Sequence, residues 1–299
     1  MLTLCLGEAL VDLVCEHAVE DLAGAEAFAA HPGGATANVA VTAARHGARV
    51  ALAGGAGADA WGAWLRERLR AEGVDLRHFA LLDGVQTPVA FVTVDAAGEP
   101  AFQIYGGGIA SAVAALAGRI EHAVGEADAL FIASNTLVGE PERAVTLAAR
   151  DHALAAGKPV VFDPNLRLGR WPSAARAAQE SRVCVPGAFL VKLNREEARL
   201  LTGERDPTAA AASLLAAGAQ HVIVTLGADG ALLRGGGLGF DVPGVPARTI
   251  NAAGAGDAVT GVLLARLAQT DFYAPAMAAG LPAAVAEAAR ATERWGALA

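Results

Sequence analysis

Short apolar runs recur along this chain, separated by helix-length segments, and that alternation limits the fold more than any other feature. The runs are LTLCLGEA (2–9), RVALAGG (49–55), ADALFIAS (127–134), KPVVFDP (158–164), FLVKLN (189–194) and HVIVTLG (221–227). They are bounded by Gly, Pro or Asn and lack clean in–out alternation, the pattern of strands covered on both faces. Helical patterns fall between them, over Thr36–His46, Ala58–Glu72, Pro141–Ala156, Arg195–Thr202 and Thr208–Ala217. A mostly parallel sheet with helices on either side, an α/β fold, satisfies this order. One segment departs from it. TPVAFVTVDAAGEPAFQIYGG (87–107) alternates and turns at DAAGEP, which predicts a hairpin with one polar face. A small β-sheet lid is expected there, with strands drawn from about 9–30 and 86–106. No repeat or linker divides the 299 residues, so one domain is expected.

Composition removes several function classes. A hydrophobic fraction of 54% with 18% charged residues fits a packed core rather than a disordered chain. The net charge of −8 offers no basic stripe for a nucleic acid partner. Cys5, Cys15 and Cys184 have neither disulfide nor zinc spacing, which fits a reducing cytoplasm. The chain opens on a strand-like run without a basic leader, so no secretory signal is expected. The apolar stretch YAPAMAAGLPAAVAEAAR (273–290) is interrupted by Pro275, Gly280, Pro282 and Glu287, so no membrane span is expected. The seven histidines show no ligand spacing and read as structural.

Chemistry in such a fold sits beyond the carboxyl ends of the strands. The residues there are Asp12, PGGATANVA (32–40), DPNLR (163–167), KLNREE (192–197), TLGADG (225–230) and GAGD (254–257). Each alone is a weak signal in a chain with 35 glycines; their shared placement is stronger.

These segments also carry a family resemblance. GEALVDLV (7–14), HPGGATANVAVTAARHGARVALAGGAGADAWG (31–62), FDPNLRLGRWPS (162–173), LNREEARLLTG (193–203), VTLGADGALL (224–233) and NAAGAGDAVTGVLLARL (251–267) resemble the ribokinase-like (pfkB) carbohydrate kinases. The likeness runs along almost the whole chain, and DPNLR…WPS with LNREEARLLTG looks most like the fructokinase branch. It implies a Rossmann-like domain with a β lid and transfer of the γ-phosphoryl group of ATP, with Mg2+, to a sugar hydroxyl, fructose being the leading candidate. Ketodeoxygluconate, ribose or a nucleoside are the alternatives.

The resemblance assigns roles that the residue chemistry supports. Gly254, Ala255 and Gly256 leave backbone N–H groups open at a helix start, an electrostatic hole for a transferring phosphate. Asp257 would accept the proton of the attacking hydroxyl; its plain alternative is a helix cap. Asp12, Gly33, Gly34 and Asn38 match sugar-binding positions, and Tyr105 and Asn165 are grouped with them. Arg167 would clamp the transferring phosphate. Asn194 and Glu197 match an N-x-x-E motif that helps position magnesium and phosphates, and read alone as a helix N-terminus. Thr225, Gly227 and Gly230 resemble a nucleotide-binding turn.

Two departures qualify this picture. Asn251 and Ala252 stand where the family usually has aspartate and threonine. An amide oxygen is a weaker cation ligand than a carboxylate, so Asn251 predicts a weak potassium site and little potassium dependence. Tyr105 is followed by Gly106, Gly107 and Gly108 rather than by an arginine, which favours a neutral sugar. The lid's outer face is a candidate homodimer surface. Two other classes compete: an NAD-dependent oxidoreductase, from GAGADA (55–60) with Asp75 downstream, and a non-catalytic sugar sensor. No Walker lysine motif is present, which excludes a P-loop kinase.

Overall fold

The computed structural model describes residues 1–299. Its thirteen strands are β1 (Leu2–Leu6), β2 (Leu10–Val14), β3 (Ala29–Gly33), β4 (Arg49–Gly57), β5 (Phe79–Leu82), β6 (Val89–Val94), β7 (Pro100–Tyr105), β8 (Ala129–Ala133), β9 (Val160–Asp163), β10 (Leu190–Asn194), β11 (Val222–Thr225), β12 (Ala231–Gly235) and β13 (Leu238–Val242). The ten α-helices are α1 (Ala35–Arg45), α2 (Ala60–Ala71), α3 (Gly108–Ala114), α4 (Ile120–Glu126), α5 (Glu140–Ala155), α6 (Ala174–Arg182), α7 (Arg195–Thr202), α8 (Pro207–Ala216), α9 (Ala255–Gln269) and α10 (Pro275–Ala291).

Nine strands form one sheet in the order β13-β12-β11-β10-β9-β8-β1-β4-β5, parallel from β11 to β5. The continuous apolar runs follow from two cores, one on each face. Cys5, Leu52, Phe131, Val161 and Ile223 enter the core that holds α1, α2, α9 and α10. Their neighbours Leu4, Leu6, Leu130, Ile132, Phe162 and Val222 enter the core that holds α3 to α8. A strand serving two cores has no polar face, so alternation vanishes. Phe131 and Phe162 are fully buried on opposite faces, and truncating either to Ala would cost about 3–5 kcal/mol.

The second sheet has the order β3-β2-β6-β7 and forms the expected lid. Its β3 runs on to Gly33, beyond the anticipated boundary near residue 30. Leu10, Val14, Ala90 and Val92 face inward onto Ile109. On the other face Phe28, Phe91 and Tyr105 form an edge-to-face series with centroids 5.1 and 5.6 Å apart. The β6–β7 turn is held by Asp95 Oδ1, which accepts from the N–H groups of Ala97 (2.8 Å) and Glu99 (2.9 Å). The carbonyl of Gly98, at the tip of this turn, accepts from Ala252 N–H at 2.8 Å.

Some elements were not foreseen. The β12–β13 hairpin adds two antiparallel strands to the sheet edge through Gly235, Gly236 and Gly237, all at positive φ. The interrupted apolar stretch forms α10 with Pro282 inside it. No helix of the chain is long and apolar enough to cross a membrane. The dinucleotide reading of GAGADA loses its geometry, because Gly55 and Gly57 lie within β4 instead of a phosphate-binding turn. A Cβ on Gly55 would lie 2.4 Å from Ala80 O, so this glycine serves close strand packing. Asp75 bridges to Ala51 and its carboxylate is taken up by Arg77 at 2.7 Å.

Candidate active site

Helix α9 begins in the stripped loop. Gly254 is its N-cap residue, at φ 81°, and a Cβ there would meet Ala297 Cβ at 2.5 Å, so only glycine fits. No side chain caps α9, and the N–H groups of its first turn lack intrahelical acceptors; Gly254 and Gly256 keep theirs open as expected, but the Ala255 N–H donates back to Ala252 O at 3.3 Å, because the loop turns tightly there. Asp257 is therefore not a cap. It is 3% exposed, and its carboxylate accepts from Asn38 Nδ2 (2.9 Å to Oδ2) and Asn165 Nδ2 (2.5 Å to Oδ1). Burial raises its pKa, opposed by the Arg167 charge and the Asn38 hydrogen bond. Asn165 takes a left-handed backbone, φ 42°, to reach it.

On the lid side of Asp257 lies a pocket of about 30 Å³. Asp12, Gly34, Asn38, Glu8 and Asn135 line it, under Ala90, Phe102 and Ile104 of the lid. Gly33 makes room for the acid beside it, since a Cβ there would lie 2.1 Å from Asp12 Oδ2. Gly34 starts α1 at φ 98°. Asp12 Oδ1, Asn38 Oδ1 and Asn135 Oδ1 are buried without a hydrogen-bond partner. Burial pushes the Asp12 pKa up to about 7, against the charge of Arg167. Tyr105 is not brought into this pocket. It is 52% exposed at the mouth of the larger cleft, and its hydroxyl donates to Gln103 Oε1 at 3.1 Å.

That cleft, of about 830 Å³, runs from β7 past α9 to the β11 end. Arg167 borders both spaces; its Nη1 donates to Asn165 Oδ1 at 2.5 Å and its guanidinium lies 4.7 Å from the Phe102 ring centroid. Lys192, within KLNREE but given no role from the sequence, also lines the cleft. Its Nζ donates to Asp163 Oδ2 at 3.0 Å, and Thr260 Oγ1 donates to the same oxygen at 2.8 Å. A Cβ on Gly256 would meet Lys192 Nζ at 2.7 Å, which puts the ammonium directly against the stripped loop. Burial opposes the charge on Lys192, but Asp163, Glu197 and Asp257 outweigh it and raise its pKa. The signal for Lys192 was available: a lysine inside an otherwise apolar strand needs a buried counter-charge.

Asn194 and Glu197 form a reciprocal capping box on α7. Asn194 Oδ1 accepts from Glu197 N–H at 2.9 Å, and Glu197 Oε2 accepts from Asn194 N–H at 2.8 Å. Glu197 Oε1 also accepts from Leu166 N–H at 2.7 Å, tying the DPNLR loop to α7. Burial, with Asp163 nearby, raises the Glu197 pKa. Thr225 and Gly227 line the cleft and an adjoining apolar cavity of about 490 Å³, walled by Val245, Pro246, Val259 and Val285. Gly230 borders that cavity at φ 98°, where a Cβ would lie 2.0 Å from Val242 O. Asn251 is 1% exposed; its Nδ2 donates to Trp295 O and its Oδ1 accepts from Ala253 N–H at 2.9 Å. Both ends of that amide brace the loop before α9.

Comparison with known sequences decides the family. The sequence model of the pfkB family carbohydrate kinases matches residues 2–294. The chain belongs to this family. It is a sugar kinase of the pfkB type, with the fold of that group. It is 33% identical over 267 residues to Fructokinase-2 of Solanum habrochaites, covering 89% of this chain and 81% of that one. It is 34% identical over 269 residues to Fructokinase-1 of Oryza sativa subsp. japonica, covering 90% and 83%. Among solved structures, a Vibrio cholerae O395 fructokinase double mutant holding fructose, ADP and a potassium ion superposes with a TM-score of 0.85, at 29% identity over 99% of this chain and 94% of that one. A Xylella fastidiosa fructokinase with bound ATP gives 0.84 and 31%, over 99% and 94%.

Proposed function

We propose that this pfkB kinase phosphorylates fructose, and that Asp257 is the base. The observation that carries the reading is the position of Asp257, buried between a pocket of hydrogen-bond acceptors and the larger cleft at the start of α9. The sugar occupies the pocket of Asp12 and Asn38. Its attacking hydroxyl gives its proton to the Asp257 carboxylate as the oxygen bonds to the γ-phosphorus. The bond to the bridging oxygen breaks, and its electron pair leaves on the β-phosphate of ADP. Gly254 and Gly256 expose N–H groups to the phosphoryl oxygens, while Arg167 and Lys192 supply fixed positive charge beside them. General-base assistance of this kind contributes roughly 10²–10⁴-fold.

ATP would place its triphosphate in the cleft and its base in the apolar cavity bordered by Thr225, Gly227 and Gly230. No group of three or more His, Cys, Asp or Glu could hold a metal by itself. That fits a magnesium ion carried on the phosphates, where it would offset their charge. Asn194 and Glu197 suit an indirect role there, because their side chains already fix the α7 start and the DPNLR loop to each other. Pairing of two chains through the aromatic outer face of the lid is supported by the exposure of Tyr105 beside Phe91. Three free, buried cysteines suit a cytoplasmic site of action.

The test is coupled ADP release over fructose, ribose, ketodeoxygluconate, inositol derivatives and nucleosides. Fructose is expected to give the highest kcat/KM. An acidic sugar that stimulates release where no neutral hexose or pentose does would refute the fructose assignment.

A further inference from the structure

The three unpartnered side-chain atoms of the inner pocket are all acceptors: Asp12 Oδ1, Asn38 Oδ1 and Asn135 Oδ1. A ligand that satisfies them must offer several O–H donors, as a polyhydroxy sugar does. Two of them belong to positions with an assigned role. Asn135 does not; it lies just after β8, in the short turn Ser134–Thr136, and is 3% exposed.

Asn135 is held from two sides. Its Nδ2 donates to Glu8 Oε1 at 2.8 Å, and its backbone carbonyl accepts from Arg170 Nη1 at 2.8 Å. Glu8, 2% exposed, also accepts from Ala35 N–H at 3.1 Å through Oε1 and from Thr36 Oγ1 at 3.1 Å through Oε2. With three donors aimed at this carboxylate, the Asn135 amide can present only its NH₂ to Glu8. Its oxygen is thereby turned away from Glu8 and left without a partner. A buried acceptor without a partner costs free energy, which a ligand hydroxyl would recover.

We infer that Asn135 is a specificity-determining residue that accepts a hydroxyl of the sugar, with Glu8 as the positioning residue that fixes the amide. The inference rests on the sugar-kinase reading of the pocket. A sugar lacking the hydroxyl that Asn135 reads leaves the oxygen orphaned and is rejected, whereas losing a hydroxyl elsewhere on the ring costs less.

The test is calorimetric binding of fructose and a panel of its monodeoxy analogues, without nucleotide, to wild type and Asn135→Ala. Wild type should lose affinity sharply for one analogue. Asn135→Ala should bind fructose about 10-fold more weakly and no longer distinguish that analogue from the parent. ATP KM should stay within about twofold, since the nucleotide does not touch Asn135. Unchanged fructose affinity in Asn135→Ala would overturn the inference. Should that variant fail to fold, Glu8→Gln serves as the second arm. It has nearly the same volume but lets the Asn135 amide turn, so sugar affinity should fall while ATP KM holds; unchanged sugar affinity there overturns the inference equally. Because binding is read without ATP, a wild type that binds sugar but releases no ADP would count against the proposed reaction and not against Asn135.

Discussion

Asn38 Nδ2 donates to Asp257 Oδ2 at 2.9 Å, joining residues 219 positions apart at the boundary between the lid pocket and the phosphate cleft. Asn165 holds the other oxygen, so the carboxylate is fixed in one orientation before any ligand arrives. That rigidity makes Asp257 a separable target for mutation.

Asp257→Asn keeps the shape of the side chain and removes the proton acceptor. Turnover should fall by ~10²-fold or more with ATP KM nearly unchanged. The NH₂ of the new amide must face the NH₂ of either Asn38 or Asn165, so stability should drop by only about 1 kcal/mol. Steady-state kinetics beside thermal melts decide it; near-normal turnover in a folded variant would remove Asp257 from the chemistry.

Lys192→Met leaves the Asp163 carboxylate buried with Thr260 as its sole remaining side-chain donor. Breaking one partner of a buried pair typically costs about 3–5 kcal/mol, which urea denaturation would read. ATP KM should rise as well, because Nζ lies against the Gly256 backbone. A destabilised variant with wild-type ATP affinity would reduce Lys192 to a structural cation.

Asp12 makes stability depend on pH. Its pKa is about 7 in the folded protein against an ordinary 3.8, so folding favours the neutral acid. Its contribution is present below 3.8 and is lost as pH rises toward 7. Asp12→Asn should therefore melt progressively higher than wild type between pH 5 and pH 8. A gap that stays constant, or narrows with rising pH, contradicts the assignment.

Potassium and sodium buffers of equal ionic strength should support similar turnover. Asn251 offers no charge, and its oxygen is already engaged by Ala253 N–H. A large rise specific to potassium would mean that backbone carbonyls bind the ion unaided.

The sheet was legible because β1, β8, β9, β10 and β11 feed two cores and so read as unbroken apolar runs. The β12–β13 hairpin was not, because its turn is three glycines in a chain where glycine marks little, and its outer residues are half polar. Pro282 disguised α10, although a proline there displaces only one hydrogen bond within a packed helix. At the site, Asp257, Asn38 and Asn165 were readable from their motifs, and the structure brings them within hydrogen-bonding distance. Lys192 and Asn135 were missed for a common reason. Each depends on a partner remote in sequence, Asp163 and Glu8, that only the folded sheet supplies. Tyr105, grouped with the sugar-binding positions, lines the larger cleft and not the inner pocket, since β7 alternation sets it on the lid face it shares with Phe91.

The hydrogen bond from Ala252 N–H to Gly98 O has an effect on affinity. It ties the tip of the lid hairpin to the strip of chain that leads into Gly254. A ligand that prefers one position of the lid tip must, through that bond, also prefer one position of the strip, and the reverse holds with equal strength. Ala90, Phe102 and Ile104 of the lid line the inner pocket, so a sugar taken up there would meet the lid directly. On the proposed reading, sugar and nucleotide are then linked heterotropically, each tightening or loosening the other by one shared factor, with Ala252, which lines both the cleft and the apolar cavity, at the joint between them.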